Sequence, residues 1–318
     1  MSGGQDRCHV AFQPIGPALV VGGSGQIGGW LLESLARRGL PAVGTHQTTP
    51  APGTVPLDLG DAQSVEALLV ELRPPLIFLP AGFTWVDGCE RDPVRCDAAN
   101  RREPIRLARL ASRIVPEVRV IHFSTDYVFD GAHGPDDEEA IPNPLSEYGR
   151  AKLAAERELT ELLGERLLII RTTWVFGPER QGKNFAYQVA RTLREGKPLV
   201  CPSDQISNPT YSPDLADAVV ELALRSAHGL LHLAGPDRLP RCEFARRLAQ
   251  GLNLDPTPIQ SKPTAELGQT ARRPLNGGLV SRRLSTWFPN HHPIRPLDQA
   301  VADFRATAKP PWRDPLTD

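Results

Sequence analysis

The chain has 318 residues, of which 40% are hydrophobic and 23% charged, with a formal net charge of -1. That length exceeds one ordinary core, so one large domain or two packed lobes is expected, and the near-neutral balance argues against a broad nucleic-acid-binding surface. No apolar run approaches the roughly 20 residues that span a bilayer.

Residues 1–17, with Asp6, Arg7 and His9, lack the continuous apolar core of a signal peptide and read as a mobile extension of a cytoplasmic protein. Ala18 to Val21 is then a short apolar strand, and Gln26 to Arg38 a helix with Ile27, Leu31, Leu32 and Leu35 on one side. Pro41 to Thr45 supplies a second strand, Ala62 to Leu72 a second helix and Leu76 to Leu79 a third strand. Arg101 to Ile114 reads as a helix, Val118 to Ser124 as a strand, Glu147 to Leu163 as a long helix and Leu167 to Arg171 as another strand. Apolar runs alternating with helices indicate a parallel sheet covered on both faces, in the order of a doubly wound, Rossmann-type α/β fold. Beyond Arg171 the rhythm breaks. Asp214 to Arg225 and Cys242 to Gln250 remain helical, but Pro236, Pro240, Pro256, Pro258, Pro263 and Pro274 favour loops. The expected organisation is a nucleotide-binding domain over 18–171 plus about 213–228, with a smaller substrate lobe from 172–212 and 229–318.

Gly22-Gly23-Ser24-Gly25-Gln26-Ile27-Gly28 follows a strand and opens a helix. Gly22 permits the tight turn, Gly25 lets the backbone approach a pyrophosphate, Gly28 packs helix on sheet, and the helix N-terminus favours phosphate. The second strand ends in Gly44-Thr45-His46-Gln47, with no carboxylate to accept from a ribose 2′-hydroxyl. This tilts the cofactor toward NADPH over NADH, with Thr45, His46 or Gln47 near the 2′-phosphate. Asp58-Leu59 is placed to meet the adenine, or Asp58 serves a turn or helix start.

Tyr148 and Lys152 in Tyr148-Gly149-Arg150-Ala151-Lys152 share one helix face, so phenol and ammonium can enter one cleft. Ser124-Thr125, ending an earlier strand, can meet them there.

Together these residues resemble the extended short-chain dehydrogenase/reductase family, and within it the dTDP-4-dehydrorhamnose reductase branch. The likeness extends to Thr84-Trp85-Val86-Asp87-Gly88-Cys89-Glu90, Ser124 to Gly131, Arg171 to Gly177 with Asn184-Phe185, Asp204-Gln205 with Pro209-Thr210, Asp214-Leu215-Ala216, and Arg273-Pro274-Leu275-Asn276. The resemblance implies NADPH-dependent reduction of the 4-keto group of a nucleotide-activated deoxysugar, dTDP-4-dehydro-L-rhamnose to dTDP-L-rhamnose. It makes Tyr148 the proton donor, has Lys152 hold the nicotinamide ribose and lower the Tyr pKa, and has Thr125, with Ser124 beside it, polarise the carbonyl. Thr125 could instead satisfy a strand-end backbone group. Ala81 and Thr173 join Gln26 and Ile27 against the cofactor. Thr84, Trp85, Trp174, Lys183, Asn184 and Arg273 fall near the sugar nucleotide, Trp174 to stack and Lys183 to meet the diphosphate, or else Trp174 is core and Lys183 a solvated charge. Asn100 matches a structural asparagine of the family, or caps a helix.

Pro80 and Trp85 depart from the family pattern, so the expected change is to the substrate pocket and not to the chemistry. Two other roles share these motifs: a non-catalytic NADP-binding subunit resembling the methionine adenosyltransferase β subunit, and a sugar-nucleotide epimerase. His46, His122, His133, His228 and His232 lack metal-ligand spacing, and Asp136-Asp137-Glu138-Glu139 reads as a solvated loop, so no metal site is assigned. The resemblance leaves open a magnesium at a dimer contact, and with it a homodimer. Cys8, Cys89, Cys96, Cys201 and Cys242, without a Cys-x-x-Cys, read as reduced and mostly buried.

Overall fold

The computed structural model describes residues 16–308 and 312–314, so Cys8 and nearly all of the expected 1–17 extension lie outside the described residues. Seven strands form the central sheet: β1 (Ala18–Val20), β2 (Ala42–His46), β3 (Thr54–Pro56), β4 (Leu76–Leu79), β5 (Arg119–Thr125), β6 (Leu167–Thr172) and β7 (Gly229–His232). They lie in the spatial order β7-β6-β5-β4-β1-β2-β3, every neighbour parallel. The order reverses between β1 and β4, which opens a crevice at the carboxyl ends of the strands, where such sheets bind ligands.

Alternate strand residues feed two cores, as the two-residue period of a strand requires. Val20, Phe78, Ile121 and Ile170 join one core with Leu31 and Leu35 of α1 (Gln26–Arg37). Leu19, Ile77, Val120 and Ile169 face the other, where they meet α2 (Ala62–Leu72), α3 (Glu103–Ile114) and α4 (Glu147–Leu163). These strands are buried on both faces, which is why they read as unbroken apolar runs.

Outside the central sheet, α5 (Phe185–Arg194), α7 (Arg241–Gly251), α8 (Leu297–Thr307) and three two-stranded pairs fall in the expected second lobe, while α6 (Ser212–Leu224) returns to pack on α1. Two local expectations are corrected. The lobe boundary drawn at 228 falls just before β7, whose Leu230 pairs with Ile169 inside the central sheet. Four residues beginning with glycine and ending with histidine carry little strand signal. The helix expected from Arg101 begins two residues later, preceded by the short helices Val86–Arg91 and Pro93–Asp97 and a π-helical turn, Ala98–Arg102.

Candidate active site

The glycine turn follows β1 and enters α1. Gly22 has φ of +85°, and a Cβ on Gly28 would lie 2.1 Å from the Gly22 carbonyl oxygen, so the turn closes only on glycine. Gly25 is the N-cap and brings no side-chain cap, which leaves the first N–H groups of α1 for an anion. A Cβ on Gly22 would lie 3.1 Å from that of Ala81, two residues past β4.

Thr45, expected near the 2′-phosphate, has its hydroxyl engaged by protein. It is buried, and its hydroxyl accepts from the Gly22 N–H at 3.1 Å, which ties β2 to the turn. The His46 Nδ1 lies 2.8 Å from the Thr54 hydroxyl. Asp58 accepts from the Gly60 N–H at 2.9 Å and from Gln47 at 3.1 Å. Its turn role is thus realised, and it brings a carboxylate beside the end of β2. Leu59 packs at the edge of the second core.

The reacting centre lies at the carboxyl end of β5. Tyr148 is 9% exposed and meets Tyr127 edge-on at 5.9 Å, and Lys152, one turn further along α4, is 5% exposed. Ser146 caps α4 by accepting from the Gly149 N–H at 3.2 Å. The Thr125 hydroxyl accepts from the Tyr127 N–H at 3.2 Å, the strand-end role considered above, while also facing Tyr148. Burial holds Lys152 down to about 8, its Nζ 3.3 Å from Nε2 of His122. Burial also keeps His122 neutral, so it accepts from the ammonium.

Two expectations fail. Ser124 is not in the reacting set: its hydroxyl donates to the buried carboxylate of Glu156, which Arg171 also engages at 2.6 and 3.0 Å. Nor is the Tyr148 pKa lowered. Burial pushes it up, with the nearby Asp126 and Cys89 adding to the rise, and the Thr125 hydroxyl opposes this only in part.

Asp126, which sequence reasoning left unassigned, joins the lobes. Thr173 and Ser207 donate to its Oδ2 at 2.7 and 2.9 Å, and Thr125 to its Oδ1 at 3.3 Å. The Thr173 hydroxyl is therefore engaged by protein. Arg273 is likewise committed, to a two-pronged pair with Asp87 at 2.9 and 2.8 Å. The Asn184 amide caps α5 by accepting from Ala186 at 3.0 Å and donates to the Gly177 carbonyl at 2.8 Å. Lys183 is exposed, as is Thr84. Trp85 is 57% exposed, with Arg91 over its ring at 5.4 Å. Trp174 adopts φ of +41°, rare for a bulky residue, and its ring is engaged by Phe244 and Arg241.

Asn100 does not cap a helix. It accepts from the Phe83 N–H and donates to the Phe83 carbonyl, both at 3.0 Å, and so pins the loop before Trp85. The acidic run is only partly solvated. Glu138 is buried, accepting from the backbone of His232 and Arg282 and from the Ser281 hydroxyl, partners at least 94 residues away in sequence. Among the described residues no group of three or more His, Cys, Asp or Glu could hold a metal, no helix is long and apolar enough to cross a membrane, and Cys89, Cys96, Cys201 and Cys242 are free and buried.

Residues 17–308 match the RmlD substrate binding domain family. The probable low-salt glycan biosynthesis reductase Agl14 of Haloferax volcanii is 31% identical over 264 residues, 81% of this chain and 87% of the relative. The dTDP-4-dehydrorhamnose reductase of Mycobacterium tuberculosis is 31% identical over 296 residues, 89% of this chain and 92% of that one. Among solved structures, the dTDP-4-dehydrorhamnose reductase of Bacillus anthracis in complex with NADP superposes with a TM-score of 0.80 at 25% identity, covering 92% of this chain and 99% of the other.

Proposed function

Because the chain belongs to the RmlD substrate binding domain family, we propose that it is an oxidoreductase that reduces the 4-keto group of a nucleotide-activated deoxysugar, dTDP-4-dehydro-L-rhamnose to dTDP-L-rhamnose, with NADPH. The observation that carries this reading is the buried set at the end of β5: Thr125 against Tyr148, with Lys152 one turn along the same helix. The relatives that are dTDP-4-dehydrorhamnose reductases, and the NADP in one solved relative, support it.

The glycine turn and the uncapped N-terminus of α1 fit a dinucleotide pyrophosphate, since a Cβ at Gly28 would destroy the turn. The reduced nicotinamide supplies the hydride when bound. Tyr148, its pKa raised by burial, keeps its proton at neutral pH and is poised to give it to the sugar oxygen. The Thr125 hydroxyl polarises that oxygen as charge develops on it. Lys152 is largely cationic at neutral pH and holds the ribose hydroxyls. No acidic side chain ends β2 itself, which favours NADPH, whereas Asp58 beside Gln47 works against a 2′-phosphate.

Incubation with NADPH and dTDP-4-dehydro-L-rhamnose should consume NADPH. Tyr148→Phe should lower turnover by about 10²- to 10⁴-fold while NADPH still binds. Asp58→Ala should raise the preference for NADPH over NADH. A protein that binds NADPH but reduces no keto-sugar nucleotide would favour the non-catalytic role instead.

A further inference from the structure

Arg241 opens α7 in the second lobe, and its guanidinium lies inside a ring of aromatic side chains. The guanidinium carbon is 3.7 Å from the Phe185 ring centroid, 4.5 Å from that of Trp174 and 5.9 Å from that of Phe244. Among the described residues no carboxylate or other hydrogen-bond acceptor meets this side chain; its backbone N–H alone is bonded, to the Gln205 carbonyl. Asp126, Tyr127 and Arg273 are the other charged or titratable groups of the cleft whose fields reach it, with Cys201 beside it. Tyr127 is the ring that packs edge-on against Tyr148. Arg241 therefore stands on the second-lobe side of the reacting centre.

The residue is half-buried, and none of its side-chain nitrogens is both buried and without a partner, so its N–H donors open toward the cleft. Burial depresses Arg241 to about 10, and Arg273 adds repulsion. Rings covering the face of a guanidinium satisfy its quadrupole attraction but not its five in-plane N–H donors. Those donors remain directed along the edge of the plane, the geometry that matches two oxygens of one phosphate. The two cations that the sequence placed near the sugar nucleotide are less suited. Arg273 is committed to Asp87, and Lys183 is an exposed point charge whose backbone N–H, not its ammonium, is held by Glu179.

We propose that Arg241 is a specificity-determining residue that binds the diphosphate of the sugar nucleotide, so that the activated sugar and not the free sugar is accepted. The proposal rests on the reductase reading for its substrate class. Its test does not, because it measures the binding of a nucleoside diphosphate alone.

With NADPH-saturated protein, dTDP and unphosphorylated thymidine are titrated by calorimetry into the wild type, Arg241→Gln, Arg241→Lys and Lys183→Gln. Arg241→Gln should weaken dTDP about 10- to 100-fold and leave thymidine unchanged, with Lys183→Gln losing less. Arg241→Lys should recover part of the loss, as a point charge without the fork. In the reductase assay KM should rise more than kcat falls. Wild-type dTDP affinity in Arg241→Gln overturns the proposal even if the enzyme reduces its sugar normally. Loss of dTDP binding in a chain that reduces nothing upholds it while the reductase reading falls. Thermal unfolding and NADPH affinity report whether Arg241→Gln folds; if it does not, the comparison of Arg241→Lys with wild type decides, and equal dTDP affinity there overturns the proposal.

Discussion

Ser124 and Thr125 are adjacent at the end of β5, yet their hydroxyls serve different partners, because successive strand side chains point to opposite faces. Ser124 donates to Glu156, whereas Thr125 faces Tyr148. Ser124→Ala should therefore cost about 1 kcal/mol of stability with little change in kcat, whereas Thr125→Val should lower kcat as well as stability, because that hydroxyl also meets the Tyr127 N–H and Asp126. Denaturant unfolding and steady-state kinetics on both variants separate the two roles. Residue type and spacing pointed to both hydroxyls, but only the fold shows that Glu156, 32 residues on, claims one of them. Lys152 gives a second prediction at this scale. Its value of 10.5 outside the fold falls to about 8 inside, so between these values the unfolded chain binds more protons. Stability should rise with pH across that window, while kcat/KM falls as the cation is lost. Lys152→Met should abolish the rise in stability measured by thermal unfolding. A kcat/KM profile flat to about pH 10 would contradict the assignment.

At the scale of the element, α4 is held where Tyr148 can work by one close approach. A Cβ on Gly149 would lie 2.2 Å from the Tyr127 carbonyl oxygen and 2.9 Å from Pro144. Gly149→Ala must push the helix away from the turn that follows β5, and a shift of about 1 Å in a reacting group can cost about 10²-fold in rate. Turnover should fall by that order while NADPH affinity is retained, since the glycine turn is elsewhere; wild-type turnover would show that the contact yields cheaply. The long helices and the strands β1, β2, β4, β5 and β6 were legible because each buries two faces or one whole stripe, and so leaves a clear period in the sequence, whereas the short, largely exposed edge strand β3 was not read. The region 86–102 was less so. Its three short pieces are held by Asn100 bonding the Phe83 backbone and by Pro93 at a helix start, not by any apolar repeat. β7 was missed for the same reason: it is an edge strand of four residues whose fit depends on β6 being beside it.

Across the whole molecule, the proton donor comes from one lobe and the cation cage of Arg241 from the other, so the reaction depends on how the lobes are fixed together. Asp126 takes hydroxyls from Thr173 and Ser207, the indole of Trp30 donates to the Pro178 carbonyl at 2.7 Å, and Gln181 reaches the Ser24 carbonyl in the glycine turn at 3.3 Å. Arg273 and Asp87, 186 residues apart, form the charged member of this set, at 11% and 20% exposure. A pair so nearly desolvated holds its geometry better than a surface bridge. The Arg273 guanidinium keeps the Asp87 carboxyl below its ordinary range. Its contribution is therefore present above the unfolded carboxyl value near 3.8 and is lost as pH falls through the lowered folded value. The sequence marked both residues as family matches but assigned Arg273 to the ligand, because a motif cannot show which acceptor reaches an arginine first. If the pair is the joint, Asp87→Asn and Arg273→Gln should each destabilise the chain, and the double variant should lose less than their sum. The coupling expected from a double-mutant cycle in denaturant is about 1–3 kcal/mol. Additive losses would mean that Asp87 does not restrain Arg273, and would return the arginine to the substrate.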